Sequence, residues 1–105
     1  MPRLPKAFFL LLCSAVPALA SSDDAWQEFA KEVGDKCLEA AAPMLEGARV
    51  AVDPFGSERF GLAVLSGKAK GADVTVSYVC VMDKQSRTVE LGSELPAETL
   101  GVTIP

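Results

Sequence analysis

Cys13, Cys37 and Cys80 offer the most definite chemistry in this chain of 105 residues. Cys37 and Cys80 lie 43 residues apart, so they form no C-x-x-C redox pair. The chain has no histidine, and two thiolates alone do not complete a usual zinc site. In an oxidising compartment the even pair Cys37 and Cys80 reads as a disulfide, with free or redox-active thiols as the alternative. Closing a loop of that length would stabilise a small fold by about 4 kcal/mol on the chain-entropy account.

Other chemistries lack their partners. Ser57, Ser66, Ser77 and Ser86 have no G-x-S-x-G elbow or S-x-x-K pair around them. Without histidine the commonest general base is missing. Fourteen Asp and Glu residues in so short a chain read as solvated surface before they read as a hydrolytic pair. Lys68-Ala69-Lys70-Gly71 lacks the strand-to-helix setting and glycine spacing of a phosphate loop, so it reads as a hairpin tip. The expectation is a protein that is not an enzyme, with no cofactor, no metal and no catalytic set.

The oxidising compartment has its own signature. Residues 1–20 read as a cleaved signal peptide: Arg3 and Lys6 first, then the apolar run Ala7 to Val16, then the small-x-small site Ala18-Leu19-Ala20. Ten apolar residues make a helix of roughly 15 Å, about half a bilayer's hydrocarbon core, so no stable membrane anchor is expected. Acylation of Cys13 would need a small residue before it, and Leu12 stands there. Cleavage leaves 85 residues, takes Cys13 away and moves the net charge from −4 to −6. An acidic protein of this kind is a poor partner for nucleic acid. Fifteen alanines and no asparagine suit a bacterial exported protein, with the periplasm the expected location and the exterior the alternative.

Periodicity then places the two cysteines. Residues 23–42 read as one helix, capped by Asp23 or Asp24 and ended at Pro43. At 100° per residue Trp26, Phe29, Val33, Cys37, Ala40 and Met44 share a sector roughly 80° wide. Glu28–Lys31 and Glu32–Lys36 have the spacing of supporting ion pairs. Alternation predicts strands at 49–53, 59–68, 73–82 and 87–91, with turns at Asp53-Pro54-Phe55-Gly56, Lys70-Gly71-Ala72 and Asp83 to Ser86. In the third strand Val74, Val76, Tyr78, Cys80 and Met82 share the better core face. The predicted fold class is α+β: one N-terminal amphipathic helix packed on a four-stranded antiparallel meander sheet, stapled by a Cys37–Cys80 helix-to-sheet disulfide. The single domain covers 21–92. An extended tail covers 93–105, in which Val102-Thr103-Ile104 could add an edge strand.

Two surfaces are candidates for recognition. The Phe55 to Gly61 loop carries Phe55, Arg59 and Phe60, whose rings either meet a partner or close the end of the core. The second sheet face, read as carrying Leu65, Val79 and Val81 among polar residues, either meets a partner or lies under the tail. The expected function is a non-enzymatic interaction module of the bacterial envelope, with another envelope or extracellular protein as partner. The alternative is a small-ligand or lipid carrier whose pocket, between helix and sheet, is lined by Trp26, Phe29, Tyr78 and Met82.

Overall fold

The computed structural model describes the backbone of residues 4–100 and 104 and the side chains of residues 23–100 and 104. The expected leader's side chains, Cys13 among them, and the Val102-Thr103 part of the expected edge strand lie outside the described residues. One helix packs on an antiparallel sheet, in the order α1 Leu4–Ala41, β1 Leu45–Asp53, β2 Phe60–Ala69, β3 Thr75–Asp83, β4 Val89–Leu91, β5 Leu95–Pro96 and α2 Ala97–Leu100. Helix α1 runs through Asp23 and Asp24 without a break, so neither caps a helix start in this chain. It stops just before Pro43, and Gly47 supplies a left-handed backbone (φ 60°) early in β1.

Four residues spaced by four, Phe29, Val33, Cys37 and Ala41, form the stripe that meets the sheet. Val33, Cys37 and Ala41 are fully buried. Trp26, expected in the same stripe, is 41% exposed, because it lies one turn before the helix reaches the core. Cys37 and Cys80 are both completely buried and disulfide-bonded, with 6.1 Å between their Cα atoms. The two faces predicted to converge do converge.

The meander β1-β2-β3-β4 is as expected, but the sheet has a fifth strand. Strand β4 pairs with β3 at Cys80 to Met82, and β5 pairs with the same edge at Val76 and Ser77. Two short segments, broken between Leu91 and Leu95, thus fill one strand position. The tail is therefore not simply extended: it contributes β5 and the single turn of α2. Val74, expected in the core, precedes the start of β3 and is 50% exposed.

Register corrects one further residue. Leu65 stands opposite Tyr78, and Ala63 opposite Cys80, so both lie on the helix side. Leu65 is fully buried and is no part of an outer surface. Leu62 and Val64 take the outer positions instead, opposite Val81 and Val79. The small residues Gly61 and Ala63 face α1 because the helix approaches closely. A Cβ on Gly61 would come within 2.6 Å of Val33 Cγ2 and 3.0 Å of Phe29 Cζ. Gly34 on the helix likewise lies against Val52, where a Cβ would come within 3.3 Å of Cγ2.

On the helix surface Lys31 pairs with Asp35 at 2.7 Å, in place of the expected Glu28. The Lys36–Glu32 pair forms at 3.3 Å. The first is exposed and the second partly so, and such surface pairs contribute little.

Replacing both cysteines by alanine should lower unfolding free energy by about 2–5 kcal/mol in urea titrations. Gly61→Ala should cost about 1–3 kcal/mol by overpacking, with the disulfide intact by mass.

Candidate functional site

Among the described residues, the most exposed aromatic surface lies where the helix, the β1–β2 loop and the β3–β4 turn meet. The loop is built from its own polar residues. Asp53 Oδ1 accepts hydrogen bonds from the backbone N–H groups of Phe55 and Gly56, both at 3.0 Å. Gly56 has φ 74°, and a Cβ there would collide with the Phe60 carbonyl. Ser57 N–H donates to the Phe60 carbonyl at 2.8 Å, and Ser57 Oγ accepts from Phe60 N–H at 3.2 Å.

Lys84 ties this loop to the rest. Its ammonium donates to the carbonyls of Phe55 (3.0 Å) and Ser57 (2.7 Å), while its backbone N–H donates to the Arg59 carbonyl at 3.0 Å. The same ammonium stands 5.5 Å from the Trp26 ring centre and 5.2 Å from that of Phe29. Each such contact is worth about 0.5–1 kcal/mol at a partly wet site. One cation therefore holds a loop and two helical aromatics together.

The β3–β4 turn is fixed in the same way. Asp83 Oδ1 accepts from the N–H groups of Gln85 (2.8 Å) and Ser86 (3.0 Å). Arg87 adopts a left-handed backbone (φ 64°), uncommon for a residue with a side chain. The helix holds it there: Arg87 pairs with Glu32 at 2.8 Å, and Lys36 donates to the Arg87 carbonyl at 2.6 Å.

Trp26 and Phe55 meet edge to face at 5.1 Å, and Trp26 and Phe29 do so at 5.8 Å. Trp26 is 41% exposed and Phe55 57%. Ala25, Trp26, Phe29, Lys84 and Arg87 line a shallow groove of about 230 Å³ beside them. Arg59 reaches over the Phe60 ring (5.7 Å), and Phe60 is half-buried. The structure thus divides the loop, with Phe55 exposed beside Trp26 and Phe60 half-buried at the start of β2, in the same outward phase as Leu62 and Val64.

The outer sheet face is the second surface. Leu62, Val64, Val79 and Val81 form two adjoining cross-strand pairs, and Val79 is 40% exposed. The described residues of the tail reach the other end of this face, where Leu95 pairs with Ser77 and the Ile104 carbonyl accepts from Arg49 at 3.3 Å. The residues named for a carrier pocket do not share one cavity. Met82 and Tyr78 are buried in the core, and Trp26 stands at the surface. The Tyr78 hydroxyl donates to Glu94 at 3.2 Å, and burial of the ring raises its pKa.

Ser57 and Ser86 spend their hydroxyls on backbone or a neighbouring hydroxyl, and Ser77 meets Ser66 at 3.4 Å. Among the described residues no group of three or more Cys, Asp or Glu side chains could hold a metal ion. No helix among them is long and apolar enough to cross a membrane. The chain matches no protein-family model, no curated protein and no solved structure.

Of the candidates named from sequence, Phe55 lies beside Trp26, Phe60 is half-buried, Val79 and Val81 lie on the outer sheet face and Leu65 is buried. Lys84 and Arg87, which were not named, stand beside the aromatics. The helix period also assigned Trp26 to the core. The available signal was a turn carrying two cations beside a helix with two aromatics near its expected start.

The carboxylates of Asp53 and Asp83 are held below the usual range, first by the backbone N–H groups they accept and then, more weakly, by nearby Lys84 and Arg59. A depressed folded pKa means that their stabilisation is fully present above the unfolded value, about 3.9. It is lost as pH falls through the lower folded value. NMR of the Phe55 and Gly56 amides should therefore show the loop loosening only below about pH 4, and Asp53→Asn should flatten that dependence. Lys84→Met should cost about 1–3 kcal/mol and speed tryptic cleavage after Arg59.

Proposed function

We propose that this chain is an exported, non-enzymatic protein-interaction module of the bacterial cell envelope. Its contact surface in this reading is the Trp26–Phe55 pair with the groove beside it. The observation that carries the proposal is two adjoining aromatics left 41% and 57% exposed on a loop fixed by Lys84 and Asp53. Aromatic side chains on a pre-ordered frame give large contact area at small entropic cost, the pattern found at interface hot spots. The composition of residues 1–20 supports export, and the buried disulfide suits an oxidising compartment. The lack of histidine and of any nucleophile–base pairing in the sequence argues against the common hydrolytic chemistries.

The test is recovery of partners from an envelope extract of the source organism, comparing wild type with Trp26→Ala/Phe55→Ser. The double variant should recover specific partners at least about tenfold less, since a hot-spot aromatic contributes on the order of 2 kcal/mol, and the disulfide-bonded fold should persist by circular dichroism. Equal recovery by the two proteins would overturn the reading.

A further inference from the structure

Strand β1 stands at one end of the sheet, paired with β2 along one edge only. Alternate residues along it turn backbone N–H and C=O groups away from β2, which makes an open edge a template for another strand. Folded proteins usually guard such an edge with charges of one sign, a proline or a bulge. Strand β1 has an irregularity between Glu46 and Arg49, at its first end. The remaining run, Arg49-Val50-Ala51-Val52-Asp53, is regular through five consecutive pairs with β2 and contains no proline.

The order of those five residues is unusual. Reversed, the run keeps its valines and its central alanine, and the two charges change places. An antiparallel copy centred on Ala51 would set Arg49 against Asp53 of the other copy, Val50 against Val52, and Ala51 against Ala51. Both charged contacts would be attractive, and both valine contacts would join β-branched residues suited to cross-strand packing. Parallel pairing in the same register would oppose like charges at both ends.

The geometry points to this edge as a two-fold, antiparallel self-association site, whose occupant is β1 of a second copy of this chain. The charges there are available for the purpose. Arg49 has no carboxylate partner among the described residues and meets only the Ile104 carbonyl at 3.3 Å. Asp53 uses Oδ1 for the loop, which leaves Oδ2 for an outside partner. Both side chains and Ala51 are exposed. Val50 and Val52 are held from behind by helix α1, where Gly34 lets the helix come close to both. The edge is therefore stiff before it pairs, and a symmetric interface of this kind closes on itself as a dimer without extending into a filament. The inference does not depend on the Trp26–Phe55 surface.

Cysteine cross-linking reads the register directly, because only a pairing centred on Ala51 brings that position against itself. Purified under mild oxidation, Ala51→Cys should run mainly as a covalent dimer on a non-reducing gel. Ala72→Cys, at the exposed β2–β3 turn, should stay monomeric. Mass mapping should locate the new bond at position 51 with Cys37–Cys80 intact. In sedimentation equilibrium the wild type should dimerise reversibly. Arg49→Asp, which opposes two carboxylates at each end, should weaken that dimer at least about tenfold with an unchanged circular dichroism melt. A wild type that stays monomeric at millimolar concentration would overturn the inference. So would a dimer indifferent to Arg49→Asp, or Ala51→Cys that cross-links no more than Ala72→Cys.

Discussion

The Cys37–Cys80 bond joins the middle of the helix stripe to the middle of β3, inside a core that contains both sulfurs completely. Every other contact between the layers is arranged around that fixed point. Val33 and Phe29 come down on Gly61, Gly34 comes down on β1, and Ala41 closes the far end beside Leu45. A domain of this size buries too little apolar surface to be comfortably stable on packing alone. The cross-link limits the unfolded chain, and the folded helix gains a defined position along the sheet as well as a face. That position carries Trp26 past the end of the core and sets it beside Phe55.

The close approach also explains what could and could not be read in advance. The helix stripe and the inner face of β3 were legible because Val33, Cys37, Val76, Tyr78, Cys80 and Met82 are apolar at the right period. Strand β2 misled for a physical reason. Its outer positions Leu62 and Val64 are more apolar than inner Gly61 and Ala63, since the inner ones must be small to admit the helix. Hydrophobicity alone therefore gives the wrong phase for β2, and Leu65 goes to the wrong side with it. Strand β5 escaped notice because Pro96 argues against a strand. It is tolerated at the outer edge, paired with β3 over only two residues.

The aromatic end was legible only in part, because its organising residue acts across long sequence separations. Lys84 reaches carbonyls 29 and 27 residues away in the β1–β2 loop, and its ammonium faces rings on α1. Nothing local marks Lys84 as different from a solvated turn lysine. Arg87 is similar, since its partner Glu32 lies 55 residues earlier. What local sequence does encode is each turn separately. Asp53 and Asp83 each gather two following amides, so each loop carries its own ordering contacts.

This division of labour bears on how Lys84 and Arg87 are held at the aromatic end of an acidic chain. The exposed helix face carries the carboxylates of Glu28, Asp35 and Glu39. Lys84 and Arg87 instead face rings, carbonyls and one helical carboxylate, Glu32. A ring face and a carbonyl both attract a cation, so Lys84 orders the loop through them, with the Asp53 carboxylate nearby. An apolar residue in place of Lys84 would leave the Phe55 and Ser57 carbonyls without this donor. The arrangement keeps Phe55 presented, keeps Trp26 partly uncovered, and puts fixed positive charge beside both. In the proposed role, rigid aromatic area with charge at its rim would let the surface discriminate among partners by chemistry as well as by shape.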